Sequence, residues 1–310
     1  MNTKSANSKY SQLVLLVKVL VLIVIGVLLF NKLEAEEEVI QRIGTVIANS
    51  IDQKWIMYLM VILMMPMNWF MEAIKWKFLV RKLDEISLSN AFKGVLSGLT
   101  LSFATPHGVG DYFGRILSIH KLGREGLVGS LFISRISQML ATALFGLIGL
   151  FYLFGFFWLM MGLGLIVILS LATYGILIWL NKHTKLNKYI LLVNQYTKSE
   201  LAQVQVLSII RYLIFSIQFL LVIYIFIPNL DFLLTYGGVT FIFLAKSILP
   251  TFNFLSDLGI REYAAIEYFE KFNFDTIPII AASLSLWVIN ILIPTIIGIP
   301  SMLKLKWNNT

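Results

Sequence analysis

"LSFATPHGVGDYFGRILSIH", Leu101–His120, follows one apolar stretch and precedes another, yet its middle holds a proline, three glycines, an aspartate and an arginine. Hydrocarbon normally excludes such types. Irregular backbone survives at membrane depth only where protein or water surrounds it. Whether this stretch is an ordinary loop or a helix broken inside the bilayer therefore decides the fold.

The surroundings are those of a membrane protein. The chain has 310 residues, 58% hydrophobic and 14% charged, with a mean hydropathy of +0.82. Soluble domains sit near half apolar and a quarter charged. The excess comes in runs such as "LVLLVKVLVLIVIGVLLF" (Leu13–Phe30) and "FFWLMMGLGLIVILSLATYGILIWL" (Phe156–Leu180). These approach or exceed the ~20 residues that cross a bilayer as helix, and they are too continuous for barrel strands. The first run is too long for a signal peptide and lacks a small-residue cleavage site, so it reads as a retained span. No polar interval is long enough for a packed soluble domain. The absence of cysteine excludes disulfides and thiol chemistry. The three histidines, His107, His120 and His183, are too scattered to suggest a metal site. The net charge of +8 fits Lys- and Arg-rich cytoplasmic loops.

Loop charges set the path. Lys4 and Lys9 place the N-terminus in the cytoplasm, and the acidic interval between Phe30 and Trp55 belongs outside. A second span from Trp55 to about Phe70 leads to Lys75, Lys77, Arg81, Lys82 and Lys93 on the cytoplasmic side. An apolar half, Ala91–Ala104, then breaks at Pro106, Gly108 and Gly110, and a second half, Asp111–Ile119, ends at Lys121 and Arg124. Both ends look cytoplasmic and both halves are short, which predicts a re-entrant hairpin. Spans follow at about Leu127–Phe154, Phe156–Leu180 and Val206–Ile227, with an interfacial helix expected within Leu186–Gln205. A second apolar half reaches Leu249 and breaks from Pro250 to Gly259, and the last span covers about Ile277–Leu303.

Split near Gly155, each half reads span, span, broken hairpin, span, and the two start on opposite sides. The expected architecture is an all-α polytopic membrane protein with an inverted-topology repeat, 1–155 and 156–310, of about six full spans plus two broken re-entrant hairpins. Eight ordinary spans is the alternative. Glycine- or proline-interrupted segments at matching places in two halves point to a binding site near the midplane.

Ionisable residues inside the membrane are candidates for function. Here they are Asp111, Arg115, Arg135, Lys246, Asp257, Arg261 and Glu262. Asp111 and Arg115, like Asp257 and Arg261, are four apart and share a helical face. They read either as ion pairs that pin the hairpins or as substrate contacts. Arg135 and Lys246 have no carboxylate at helical spacing, so each needs a partner from elsewhere: an acid across the repeat interface, or a bound anion. Phosphate suits the planar guanidinium fork. Lys18 and Arg211, nearer the expected span ends, read as snorkelling side chains.

"TPHGVGDYFGRILSIHKLG" followed by "SRISQML", and later "SILPTFNFLSDLGIREYAAI", resemble the lysylphosphatidylglycerol synthase transmembrane-region family, also called flippase-like membrane proteins, over roughly residues 10–305. Pro106, Gly110, Asp111 and Arg115 match the family's first block, and Pro250, Gly259 and Glu262 its second. Arg135 is kept, with Ser134 and Gln138 where the family often has acids. The resemblance implies movement of lipid between leaflets. On this reading a groove between the halves holds an anionic or lipid-phosphate headgroup on Arg115, Arg135, Lys246 and Arg261, while Asp111 and Glu262 gate, bind cationic groups or carry protons. No cofactor is expected, and no catalytic motif or nucleotide-binding motif is present. The partner is membrane lipid rather than nucleic acid, with a second copy or a separate lipid-synthesising enzyme as the protein partner. The location is the plasma (inner) membrane, both termini cytoplasmic. The alternative is a membrane-embedded transferase or assembly factor acting on lipid-linked substrates.

Overall fold

Two apolar stretches are too short to cross a bilayer alone, and the fold is arranged around them. The computed structural model describes residues 37–103, 105, 108–119, 124–182, 189, 192–248 and 254–305, with the side chains of residues 37–40, 52, 174, 177, 180–182 and 254–258 excepted. The expected span Leu13–Phe30 and the breakers Pro106 and Pro250 lie outside the described residues, as does the side chain of Asp257.

Among the described residues every regular element is helical. The helices are α1 (Glu37–Val80), α2 (Leu88–Phe103), α3 (Val109–Leu117), α4 (Leu127–Phe154), α5 (Phe156–Lys182), α6 (Lys198–Phe226), α7 (Phe232–Ile248), α8 (Phe254–Glu270), α9 (Thr276–Trp287) and α10 (Ile293–Leu303). A five-residue π-helical segment, Val288–Leu292, joins α9 to α10 into one span, Thr276–Leu303. Among the described residues, five stretches are long and apolar enough to span a membrane: Gln53–Val80, Arg124–Phe154, Phe156–Thr173, Lys198–Phe226 and Thr276–Leu303. The chain is an all-α, polytopic integral membrane protein.

The first hairpin is a tight antiparallel pair. Its arms, α2 with 16 residues and α3 with nine, are about 24 Å and 14 Å long, short of a ~30 Å hydrocarbon layer. Gly108 takes a left-handed conformation (φ 66°) at the start of α3, which favours a residue without Cβ. Beyond it the pairing needs small residues: a Cβ on Gly114 would fall on the Gly98 backbone, and one on Gly98 would sit 2.6 Å from Asp111 Oδ1. Gly110, expected in the break, is instead already inside α3, pressed on the Leu101 and Ser102 backbone. In the second hairpin α7 and α8 have 17 residues each. Gly259 is a correction: it lies within α8 rather than in the break, because the helix restarts at Phe254.

Interhelix contacts fix the directions. α1 and α6 run antiparallel, with Arg81 and Lys82 on Glu200 at one end and Lys54 Nζ donating to Ile225 O at 2.5 Å at the other. At the Glu200 end, Tyr196 Oη donates to Leu79 O at 2.5 Å and meets Ser130 Oγ. Burial pushes this phenol up to about 12, so it remains a donor. At the opposite end Lys271 Nζ donates to Leu153 O. The first hairpin leaves from the end of α1 and returns to the start of α4; the second leaves from the end of α6 and returns beside Leu153. They therefore open toward opposite ends of the bundle.

Their packing is reciprocal as well. α2 crosses α10, where a Cβ on Gly298 would come 2.6 Å from Leu96 O. α7 crosses α4, where a Cβ on Gly149 would come 2.6 Å from Gly237 O. Each hairpin thus lies on the long helix that follows the other hairpin, at glycines that let backbones approach.

Three boundaries differ from expectation. Residues 37–53 are helix, not an open acidic loop, and join the span through a kink at Lys54 (φ −133°, ψ 30°). The second span reaches Val80 rather than Phe70, which moves Lys75 out of the cytoplasmic cluster into the buried interior, 1% exposed. α6 begins at Lys198, capped reciprocally by Thr197 and Glu200, rather than at about Val206; in the stretch expected as an interfacial helix Tyr189 is helical and Val193–Gln195 form a 3-10 turn, while residues 186–188 and 190–191 lie outside the described residues.

Gly114→Val should lower stability by about 1–3 kcal/mol or more through overpacking. Gly164→Val, where nothing lies within 4 Å, should leave it unchanged. Thermal unfolding in detergent checks both.

Candidate functional site

Two hydrophobic cores flank a polar seam. One gathers Trp69, Trp76, Val95, Phe103, Leu131 and Trp287; the other gathers Phe219, Ile223, Phe243, Tyr268 and Phe269. Between them lies a cavity of about 320 Å³ lined from both sides, by Trp69, Leu99 and Ile291 of the first and by Tyr212 and Phe243 of the second. Thr105 and Gly108 reach it from the first hairpin, Lys246 and Ser247 from the second. Arg211 lies near the middle of the 29-residue α6 and Asn290 near the middle of the Thr276–Leu303 span. The cavity is therefore at mid-length of the spanning helices, not at a helix end.

Its wall is a network of charges from four helices. Glu72 of α1 accepts from Arg115 Nη1 at 2.7 Å and pairs with Lys75 Nζ at 3.0 Å and Arg211 Nη1 at 3.3 Å. Asp111 of α3 accepts from Arg115 Nε at 2.6 Å through Oδ1, and from Arg135 Nη2 through Oδ2. Arg211 Nε also donates to Asn68 Oδ1 at 3.1 Å, and its Nη1 donates to Gln138 Oε1 at 3.3 Å. Glu72, Lys75, Asp111 and Arg115 are each no more than 4% exposed. Removing one partner of such a network leaves its neighbours buried and uncompensated, the costly outcome in a low-dielectric interior. Arg135 differs: half of its side chain, 51%, is exposed beside the Asp111 carboxylate.

A second chain of polar groups crosses the seam. Asn290, in the π-helical segment, donates from Nδ2 to Gln218 Oε1 at 2.8 Å, and Gln218 Nε2 donates to Val61 O at 2.7 Å. Trp69 Nε1 donates to Asn290 O at 3.1 Å. Among the described residues, four buried polar atoms of the lining have no hydrogen-bond partner: Glu72 Oε2, which is held by the ion pairs to Lys75 and Arg211, and Asn68 Nδ2, Tyr212 Oη and Asn290 Oδ1. No three His, Asp or Glu side chains converge as a metal site among the described residues.

Of the site residues expected from sequence, Asp111, Arg115, Arg135 and Lys246 meet at the cavity with Gly108 of the break. The helical spacing of Asp111 and Arg115 does produce an ion pair, whereas Arg135 finds its carboxylate in Asp111, within residues 1–155, and not across the expected repeat interface. Arg261 and Glu262 stand outside the described lining; Arg261 is fully buried, its guanidinium 6.0 Å from the centre of the Phe215 ring, and Phe215 itself lines the cavity. Arg211 does not snorkel: α6 begins at Lys198, so Arg211 is deep in its span and joined to Glu72. Sequence reasoning missed Asn68, Glu72 and Lys75. Their signal was present, since steps of four and three put them on one face of an otherwise apolar helix.

Fold and site together define a polytopic helical membrane protein with a charged cavity between two helical hairpins. The chain belongs to the lysylphosphatidylglycerol synthase transmembrane-region family, whose model matches residues 13–298. That membership connects it with membrane lipid. No curated protein and no solved structure matches the chain.

Glu72→Gln should destabilise by about 3–5 kcal/mol, because Lys75, Arg115 and Arg211 lose a shared counter-charge. Glu200→Gln, on the exposed helix end, should cost far less, because its charge and its neighbours are screened by water. Denaturant titration of the two variants checks the difference.

Proposed function

We propose that the protein moves a lipid with an anionic or phosphate headgroup between leaflets, as a transporter and not an enzyme. The observation that carries the reading is the half-exposed Arg135, set at a cavity at mid-length of the bundle where both hairpin tips converge. A guanidinium there costs free energy unless it meets an anion, and Asp111 supplies one until a headgroup takes its place. The opposed hairpins and their reciprocal packing support an inverted repeat of residues 1–155 and 156–310, the arrangement in which two halves rock about a fixed site.

Transport is favoured over group transfer by the state of the carboxylates. Glu72 and Asp111 are both engaged by several cations, which suits anchoring and gating more than proton abstraction from a substrate. The basic end of the bundle, with Arg81, Lys82, Lys93 and Lys198, would face the cytoplasm of a plasma (inner) membrane. The partner is membrane lipid, and the lipid reaches the protein from a separate synthesising enzyme.

In liposomes that hold fluorescent lipid in one leaflet, Arg135→Gln should slow headgroup movement at least about tenfold. Its unfolding midpoint should stay near that of the parent, because Asp111 keeps Arg115. Unaltered movement in that variant would exclude the site.

A further inference from the structure

The charges around the cavity do not balance. Guanidiniums stay protonated in proteins. Among the described residues of the wall, Arg115, Arg135 and Arg211 therefore outnumber the carboxylates of Glu72 and Asp111, and Lys75 adds to the excess. Every other described polar residue of the lining, Ser134, Gln138, Thr142 and Asn290 among them, is neutral. A buried positive excess is unfavourable until an anion of matching charge arrives.

We infer that the group taken into the cavity is a terminal phosphate, a phosphomonoester or diphosphate with about two negative charges or more, and not a phosphodiester, a zwitterion or a cationic headgroup. This rests on the transport reading above and names its headgroup. A diester offers one charge, whereas a monoester carries about 1.5 to 2 near pH 7 and three oxygens that can each accept a hydrogen bond. The geometry accommodates an exchange. Arg135 can turn from Asp111 to the phosphate without stranding that carboxylate, because Arg115 holds the other oxygen, Oδ1, at 2.6 Å. Asn68 Nδ2 and Tyr212 Oη, buried and without hydrogen-bond partners, are donors in the same wall.

The same chemistry would fit a lipid phosphate or free inorganic phosphate, and the test separates them. The full-length protein is placed in phosphatidylcholine nanodiscs doped with equal fractions of phosphatidic acid, a monoester, or phosphatidylglycerol, a diester. Retained lipid is then counted by native mass spectrometry. Phosphatidic acid should be retained at least about tenfold more strongly than phosphatidylglycerol, and Arg135→Gln should bring the two toward parity. Asp111→Asn, which removes a negative charge, should widen the preference; if that variant fails to fold, the comparison in the parent protein still decides. Equal retention of the two lipids, or a preference for the diester, overturns the inference and leaves lipid transport standing. Preferential retention of phosphatidic acid with no movement of any lipid upholds the headgroup class and removes the transport reading. Loss of phosphatidic acid on adding millimolar inorganic phosphate also upholds the class and identifies the free ion as the ligand.

Discussion

Glu72 is fully enclosed, and three cations from α1, α3 and α6 converge on its two oxygens. A lone carboxylate in that position would be prohibitively costly, and so would any one of the cations without it. The pairing therefore constrains more than itself. It brings α1 against α6 at mid-length, and through Arg115 it ties the short arm of the first hairpin to the long kinked helix. Arg115 passes the constraint on to Asp111, and Asp111 passes it to Arg135 on α4. Four helices are held by one chain of alternating charge, and the cavity is the space that this chain borders.

That chain can form only because the hairpin arms lie close enough to present it. Gly98 and Gly114 let α2 and α3 approach until backbone meets backbone, and this turns Asp111 and Arg115 toward α1 and α4. A larger residue would push α3 outward and stretch the contacts to Glu72. The same device recurs where each hairpin crosses the other half, at Gly298 and at Gly149. Lipid gives helices little hydrophobic reason to associate, so close packing of small residues and satisfaction of polar groups must supply it. In this protein the two act at the same places.

Much of this was legible from the chain alone. The long apolar runs gave the class. The glycines and the proline beside Asp111 and Arg115 gave the first hairpin, and the charges of the loops gave opposed directions for the two hairpins. The expected span of about Leu127–Phe154 agrees with α4, which Gly155, with φ 86°, ends. The hub was not legible. Ending the second span at Phe70 cut Glu72 and Lys75 off as loop charges, when the helix in fact continues to Val80. Hydropathy averages penalise the very residues that make a membrane site. Arg211 was misplaced for the same reason, because the polar first turns of α6 hid where the helix begins. Gly259 shows the opposite failure: a glycine taken as a breaker sits inside α8, because a packed helix tolerates one.

Transport through this molecule requires that Thr105 and Ser247, one from each hairpin, border a wet, charged space inside the bilayer. With no native cysteine in the chain, Thr105→Cys and Ser247→Cys can each carry a single spin label. Power saturation against oxygen and a water-soluble nickel complex then reports depth and water access together. Both labels should lie deep in the hydrocarbon region and still be relaxed by the nickel complex. Labels at headgroup depth, or outside it, would turn the tips into ordinary loops and remove the cavity from the membrane.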